Sequence, residues 1–468
     1  MQNKSAYIWG LIGKFGPQAI YLITTMILSR FLNAEDFGKI GVLSIIFIVA
    51  TVLLDSGLGG SLIKEKEVSD IDLSSITCFN VSVSTLIYIT LYFSADWIGS
   101  LYSIPSLANV VRILSLVFPI TAFGIVPKSL LQRNLQFKTI CWNYILGVTA
   151  GCMVSILVAV KGGGVYALVA YQLITNFVNV VANCICCRYL PSFKLSFNSL
   201  KRLLPFGIFT SVISIIDTIY ENIMTALIGK FLNVQQAGYL YQAKRIEETL
   251  SSSLAGTIGV VTFPILTKFK DNLFVFNKEA LSTLKIISWL TFPVLFSVAI
   301  YSDQIIVLLF GDKWVKSGFY LETLIFAGVF IILETLLRSY IKALCEVKKL
   351  MYATVIKRIL GIAIMLLALY INPEYVVYGY IVSALIGYFI NSILYIRLSK
   401  VGVVKLMSTS FISFFICLLY YILFKYLTSC GLNIIIEMLL SAVTLFFYYV
   451  IVLPRMGINV LSLFIHKK

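Results

Sequence analysis

Long apolar segments recur along this 468-residue chain and are separated by short polar stretches. Fourteen of the segments have about the 20 residues that an α-helix needs to cross the hydrocarbon core of a membrane. No polar stretch is longer than roughly one such helix, so the pattern leaves no room for a soluble domain. The predicted spans are residues 8–29, 38–62, 73–94, 107–127, 139–160, 165–187, 203–229, 238–267, 279–300, 319–341, 350–371, 375–396, 406–427 and 434–454.

Two shorter stretches fall between these spans, at residues 96–103 and 303–314. Both are aromatic and partly apolar, which is typical of segments that lie in the membrane interface. Trp97 and Trp314 have the side chain that is enriched at that depth. We therefore expect both stretches to lie along the membrane surface without crossing it.

The composition favours the same fold class, because 59% of the residues are hydrophobic, only 12% are charged and the mean hydropathy is +0.95. A soluble protein has roughly a quarter charged residues. With the N-terminus in the cytoplasm, the cytoplasmic segments hold 22 lysines and arginines and the opposite segments hold 6. This distribution predicts that both termini are cytoplasmic, and it explains the net charge of +16 without a nucleic-acid partner.

Cysteine and histidine give no sign of a metal or catalytic site. Cys184, Cys186 and Cys187 form a cluster without the paired spacing of a zinc site, and His466 is the single histidine. We expect no metal, no cofactor and no enzymatic activity.

An internal repeat relates two parts of the chain. Residues 28–38 align with residues 228–238, and both copies begin in a helix that enters from the cytoplasmic side. Helices repeated in the same orientation are common in transporters. We predict an all-α polytopic membrane protein of about 14 transmembrane helices: two six-helix lobes, residues 1–190 and 191–400, related by a parallel pseudo-two-fold repeat, and two appended helices in residues 401–468.

Several short motifs occur in one order along the first lobe: Phe15-Gly16, Leu28-Ser29-Arg30-Phe31-Leu32, Asp36-Phe37-Gly38, Asp55-Ser56-Gly57-Leu58, Leu131-Gln132-Arg133-Asn134-Leu135-Gln136-Phe137-Lys138, Gly164-Val165-Tyr166-Ala167-Leu168 and Pro205-Phe206-Gly207. In these motifs the chain resembles the polysaccharide and O-antigen repeat-unit flippases, which export lipopolysaccharide and exopolysaccharide units. They belong to the multidrug/oligosaccharidyl-lipid/polysaccharide exporter superfamily. The resemblance is strongest to its colanic-acid and teichuronic-acid exporter branch.

This resemblance implies that the chain moves an undecaprenyl-pyrophosphate-linked repeat unit from the cytoplasmic to the periplasmic leaflet of a bacterial inner membrane. It implies two lobes around a cavity that opens alternately to each side, and a polysaccharide polymerase and chain-length machinery as partners. The family often has an acidic residue late in its seventh helix. Met224 and Thr225 stand there in this chain, with Asp217 and Glu221 upstream.

A pyrophosphate needs cations in a wet cavity, and arginine binds phosphate through two parallel hydrogen bonds where lysine acts as a point charge. Ion pairing is the alternative for two of the candidates, since Glu334 precedes Arg338 by four residues and Glu248 follows Arg245 by three. Lys14 and Arg112 have no partner nearby in the sequence. The candidate cations within the spans are Lys14, Arg112, Arg245 and Arg338.

Acidic residues within the spans are candidates for ion coupling or gating. Asp217 and Glu221 share a helix face and could carry a driving proton, or could neutralise a cation such as Lys14. Asp55 could act at a gate, or could end a helix near Lys64. The acidic candidates are Asp55, Asp217, Glu221, Glu248 and Glu334.

No nucleotide-binding motif occurs in the sequence, so an ion gradient of H⁺ or Na⁺ is the expected energy source. Three rival functions remain open. A multidrug or small-cation exporter would have an acidic, aromatic cavity, whereas cations and acids are nearly balanced in these spans. A membrane enzyme would need longer polar loops, and a scaffold would not need a repeat.

Overall fold

The computed structural model describes residues 2–55, 58–65, 68–189, 194–430, 434–452 and 454. These residues form helices and short connections, and no strand occurs among them, which confirms the all-α fold class. The helices are α1 Gln2–Phe31, α2 Ala34–Asp55, α3 Leu58–Lys64, α4 Asp70–Leu101, α5 Ser106–Leu114, α6 Val117–Ala122, α7 Ile125–Arg133, α8 Phe137–Val160, α9 Val165–Cys187, α10 Phe197–Phe231, α11 Val234–Thr267, α12 Leu273–Ile300, α13 Ser302–Phe310, α14 Lys316–Ala343, α15 Val347–Ile371, α16 Val376–Ser399, α17 Val403–Ser429 and α18 Ile434–Phe447.

Short polar side chains start several of these helices. Ser69 and Asp72 form a capping box at the start of α4: the Ser69 hydroxyl accepts from the Asp72 N–H, and the Asp72 carboxylate accepts from the Ser69 N–H at 3.1 Å. Asn272 caps α12 by accepting from the N–H of Val275 at 3.3 Å. The turn before α9 contains Gly162 and Gly164 at φ +78° and +51°, where a side chain would strain the backbone.

Many of these helices have the length and the apolar composition of a membrane span. Within the described part of the chain, nine helices are long and apolar enough to cross a membrane, and a tenth span arises if the bent pair Ser106–Ala122 and Ile125–Arg133 is one span. Helices α1, α10 and α11 have 30, 35 and 34 residues, which is also the length of a span. The chain is a multi-pass membrane protein, and the count of 14 stays a prediction.

Large apolar side chains are exposed along many of these helices, as expected of surfaces that face lipid. On α17, for example, Ile412, Phe415 and Leu419 are exposed on one side. A protein in water rarely exposes such a continuous apolar surface. The exposed faces therefore agree with the hydropathy pattern.

The chain divides by its contacts into two compact units. The first comprises Met1–Gln242 and Leu309–Trp314, and the second comprises Ala243–Leu308 and Val315–Lys468. The predicted boundaries of the six-helix lobes, after residues 190 and 400, are a different division of the chain and stay a prediction.

In the first unit, the two copies of the internal repeat meet at a pair of glycines. A Cβ atom on Gly38 would lie 1.8 Å from the carbonyl oxygen of Val234, and a Cβ atom on Gly238 would lie 1.8 Å from that of Ala34. Residues 34 and 234 are equivalent in the repeat, so each copy presses its glycine against the same position of the other. Only glycine allows the backbones of α2 and α11 to approach this closely.

Trp314 is buried within the first unit, and its predicted depth at the membrane interface stays a prediction. Its indole N–H donates to the carbonyl oxygen of Ser29 at 3.2 Å, and its ring packs edge-on against Phe37 and Tyr239. Lys313 donates to the carbonyl oxygen of Leu32 at 2.6 Å, just after the C-terminal end of α1. Burial lowers the pKa of the Lys313 ammonium, although Asp36 favours its charge. The indole ring is thus packed against other aromatic rings, and its one polar atom is satisfied.

The stretch from Asp96 to Ser103 is not the separate surface segment that the sequence predicted. Helix α4 runs without a break to Leu101, so most of this stretch is the last part of a 32-residue helix. Trp97 is 66% exposed on that helix. Local aromatic composition cannot distinguish a separate surface segment from the end of a long helix.

Candidate functional site

Helices α14 and α15 both pack against α16 in the second unit. Glu334 of α14 and Lys357 of α15 form an ion pair whose side chains are 6% and 1% exposed. Both helices qualify as membrane spans. Charges at such positions are expensive and commonly mark a functional site.

Two arginines add to this ion pair. Arg338 lies one helical turn after Glu334, with its guanidinium 3.4 Å from the same carboxylate oxygen. Arg358, which is also buried, attracts the Glu334 carboxylate as well. We call Glu334, Arg338, Lys357 and Arg358 the Glu334 cluster; its formal charge is +2.

A glycine on the third helix makes room for the cluster. A Cβ atom on Gly387 of α16 would lie 2.8 Å from the Oε2 atom of Glu334 and 3.9 Å from the Cδ atom of Lys357. Any side chain at this position would displace the carboxylate. The small residue therefore lets the acid reach the space between the three helices.

The electrostatics of the cluster favour an anionic partner. Three cations approach the Glu334 carboxylate, and the Nε atom of Arg338 is buried without a hydrogen-bond partner. Charges between spanning helices cost several kcal/mol per ion unless water or a partner compensates them. A phosphate group would accept from the Nε atom of Arg338 and place a negative charge beside the cations.

A second group of charges lies on α11, in the part of that helix that belongs to the second unit. Arg245 and Glu248 form the predicted ion pair at 3.6 Å, but their side chains are 42% and 44% exposed. The neighbouring Lys244 and Glu247 are the buried charges, and Glu247 accepts from Ser251 at 2.6 Å. Helical rotation of about 100° per residue puts adjacent charges on different faces, so the predicted Arg245 and Glu248 and the buried Lys244 and Glu247 share one turn but differ in exposure.

Arg112 has an acidic partner that is distant in the sequence. Its guanidinium donates to the carboxylate of Asp96 at 2.6 Å and lies over the ring of Tyr92, 5.3 Å from the centroid. Asp96 precedes it by 16 residues and comes from the end of α4. The helix that holds Arg112 is the short α5, and the break after it was also missed.

The remaining candidates predicted from the sequence lie on α1, α2 and α10. Asp217 is half-buried and Glu221 is exposed on α10, in the first unit. Lys14 lies in α1 and Asp55 ends α2, and the side chains of both are outside the described residues. The proposed coupling, gating and phosphate roles of all these residues stay predictions.

Lys357 and Arg358 are not among the candidates predicted from the sequence. The sequence does contain a signal for them, since two adjacent cations interrupt an otherwise apolar run of about 20 residues in α15. Such a pair cannot reach the membrane surface easily from the middle of a span. Its acidic partner lies 23 residues earlier, beyond the range of any helical spacing rule.

A sequence model of the family described as "Polysaccharide biosynthesis protein" matches residues 27–318, which is more than half of the chain. The chain belongs to the polysaccharide biosynthesis protein family. The lipopolysaccharide biosynthesis protein WzxC of Escherichia coli is 25% identical over 315 residues, covering 65% of this chain and 63% of that protein. The teichuronic acid biosynthesis protein TuaB of Bacillus subtilis is 24% identical over 330 residues, covering 70% of this chain and 68% of that protein.

The match to WzxC thus spans less than two thirds of that relative's length. Among solved structures, the lipid II flippase MurJ in an inward closed conformation superposes with a TM-score of 0.74 at 15% identity, covering 96% of this chain and 99% of that chain. An inward-facing multidrug resistance MATE transporter of the MOP superfamily gives 0.63 at 15% identity, over 82% and 96% of the two chains. These likenesses show that this family member has the fold of that superfamily.

Proposed function

We propose that this protein is a flippase that moves undecaprenyl-pyrophosphate-linked oligosaccharide repeat units from the cytoplasmic to the periplasmic leaflet. Membership of the polysaccharide biosynthesis protein family supports the pathway. The Glu334 cluster is the observation that supports the substrate class, because cations between spanning helices, with the Nε atom of Arg338 lacking a hydrogen-bond partner, suit the anionic head of a lipid-linked glycan.

The transport cycle that we propose is alternating access of a cavity to the two sides of the membrane. A head group with a diphosphate and sugars cannot cross the hydrocarbon core unaided, whereas the polyprenyl tail can stay in lipid. Buried cations would then replace the water that the diphosphate loses. A polysaccharide polymerase and chain-length machinery would take up the product.

An ion gradient of H⁺ or Na⁺ drives the cycle in this proposal. The sequence holds no nucleotide-binding motif, so hydrolysis of a nucleotide by this chain is not the energy source. The acidic candidates for coupling or gating remain Asp55, Asp217, Glu221, Glu248 and Glu334. Collapse of the gradient across sealed vesicles should slow flipping, and an unchanged rate would exclude the coupling.

The deciding experiment follows labelled undecaprenyl-linked oligosaccharide in cells that lack this protein. We expect the repeat units to accumulate on the cytoplasmic side and the surface polymer to be lost. The intact gene should restore both. Lys357→Met should restore less than a quarter of the polymer per molecule of protein in the membrane, because the carboxylate then lacks its closest cation.

Lys349→Met is the matched control. Lys349 lies on the same helix, and its ion pair with Glu346 has side chains that are 55% and 37% exposed. We expect this variant to restore the polymer fully. Repeat units that reach the periplasmic side normally in the deletion strain would overturn the flippase proposal and favour export of another small molecule.

A further inference from the structure

A polar cavity of about 400 Å³ lies inside the first unit, apart from the Glu334 cluster. Its size is within the range of small-molecule sites. Helices α2, α3, α6, α7 and α9 contribute to its wall, together with Gly124 between α6 and α7. Among the described side chains no carboxylate lines it, and the polar ones are amides, hydroxyls and one ammonium: Thr51, Thr121, Lys128, Ser129, Gln132, Asn176, Asn179 and Asn183.

The cavity lies where a helix is broken. The segments Ser106–Ala122 and Ile125–Arg133 meet at an angle of 42°, and Thr121, Gly124 and Ile125 line the cavity at that point. A Cβ atom on Gly124 would lie 2.6 Å from the Cγ2 atom of Val180, so glycine lets the break pack against α9. Broken helices in transporters commonly border the place where a substrate binds.

A chain of amides fixes the donor that faces this space. Asn143 donates through Nδ2 to the Oδ1 atom of Asn183 at 2.9 Å, and Asn183 donates to the Oδ1 atom of Asn179 at 3.1 Å. Asn143 and Asn183 are buried, so the orientation of the chain is set from the protein side. The Nδ2 group of Asn179 has no acceptor in the described part of the chain and is available to a ligand.

Lys128 supplies the positive charge. It is exposed on α7 at the edge of the cavity, and it makes no ion pair with any described residue. Gln132 follows one turn later, also without a side-chain hydrogen bond among the described residues. The amide of Gln132 and the ammonium of Lys128 can therefore contact the same ligand.

Two sequence motifs converge here. Gly59 and Gly60 come from the glycine-rich stretch that follows Asp55, and Gln132 comes from the motif at residues 131–138. These stretches are more than 70 residues apart in the chain. Their meeting at one cavity gives a common role to motifs that the Glu334 cluster leaves unexplained.

We propose that this cavity is a saccharide subsite, which binds one sugar residue of the lipid-linked glycan. Amides both donate and accept, as a ring of hydroxyl groups requires, and the described lining holds a lysine, which suits an anionic group beside the sugar. Asn179 and Gln132 contact sugar hydroxyls, and Lys128 contacts an anionic oxygen group next to the sugar. The proposal rests on the flippase function and adds the part of the substrate that this unit recognises.

The test measures binding to the purified full-length protein by native mass spectrometry. One probe is the lipid-linked glycan extract of source cells that lack this protein, and the other is undecaprenyl pyrophosphate without sugar. Asn179→Asp keeps the acceptor for Asn183 and removes the donor that faces the cavity. Asn134→Asp adds the same charge at an exposed position outside the cavity and is the control.

We expect Asn179→Asp to bind the glycosylated lipid about tenfold more weakly than the wild type, as the loss of one buried hydrogen bond implies. Its affinity for undecaprenyl pyrophosphate should change less than twofold, which also shows that the variant is folded. Lys128→Met should weaken binding of both probes if the anionic group is the pyrophosphate. It should weaken only the glycosylated probe if that group is a carboxylate of the glycan.

Equal affinity of Asn179→Asp and wild type for the glycosylated lipid would overturn the subsite and leave the flippase proposal intact. A parallel loss for both probes would also overturn it, because the defect would not be specific for sugar. Failure of the wild type to bind either probe would instead count against the flippase function itself, and the subsite would fall with it.

Discussion

Gly238 packs directly on Gly38, the residue that is equivalent to it in the internal repeat. A Cβ atom on Gly238 would lie 3.0 Å from the backbone nitrogen of Gly38 and 1.8 Å from the carbonyl oxygen of Ala34. Reciprocal contact between repeat-related residues is what a pseudo-two-fold axis through a chain produces. The glycines of the repeat are thus explained by backbone contact.

Alanine at Gly238 should therefore be poorly tolerated. The added methyl group would have to push α2 and α11 apart, and overpacking of this kind costs about 3 kcal/mol. We expect a lower unfolding temperature in detergent and less protein in the membrane. Gly402→Ala is the control, because a Cβ atom at Gly402 meets nothing within 4 Å. Equal stability of the two variants would mean that α2 and α11 are farther apart at Gly238 than the structure shows.

Removal of the Glu334 carboxylate should lower the stability of the protein more than removal of the Lys357 ammonium. Glu334→Gln removes the carboxylate that Lys357 and Arg338 share, which should cost about 3–5 kcal/mol. Lys357→Met leaves Glu334 with Arg338 and Arg358, so the loss should be smaller. Thermal unfolding of the purified variants measures the difference. A larger loss for Lys357→Met would contradict the assignment of the arginines to this carboxylate.

Trp314 should contribute more to stability than Trp97. Trp314→Phe removes the hydrogen bond to the buried carbonyl oxygen of Ser29. The loss of this donor should cost about 1–2 kcal/mol. Trp97→Phe changes an exposed side chain and should shift stability by less than about 0.5 kcal/mol. Chemical unfolding in a mild detergent can rank the two. Greater sensitivity of Trp97 would contradict the buried, hydrogen-bonded position of Trp314.

The ion pair between Arg112 and Asp96 should matter little for folding. The side chain of Asp96 is 74% exposed, and pairs of that kind are worth about 0–1 kcal/mol. Asp96→Asn should leave both stability and polymer export close to wild type. If Arg112→Gln then abolished export while Asp96→Asn did not, Arg112 would have a role beyond the pair. Surface polymer, scaled to the amount of protein in the membrane, is the readout.

The sequence by itself determined the features that depend on local composition. Apolar segments of membrane-spanning length give an all-α membrane protein, because lipid requires every backbone polar group to be satisfied within its own helix. Motifs in fixed order indicated the family, and a 200-residue offset revealed the repeat in which Gly38 and Gly238 are equivalent. None of these conclusions depends on which helices are in contact.

Only the tertiary structure decided which charges face one another. Lys357 pairs with Glu334 across two helices, and Lys244 and Glu247 are buried where the sequence favoured their exposed neighbours. The amide chain that ends at Asn179 and the burial of Trp314 were equally invisible. A spacing rule reaches one or two turns along a helix, whereas a site inside a membrane is assembled from helices that are far apart in the chain, and packing alone selects the faces that meet.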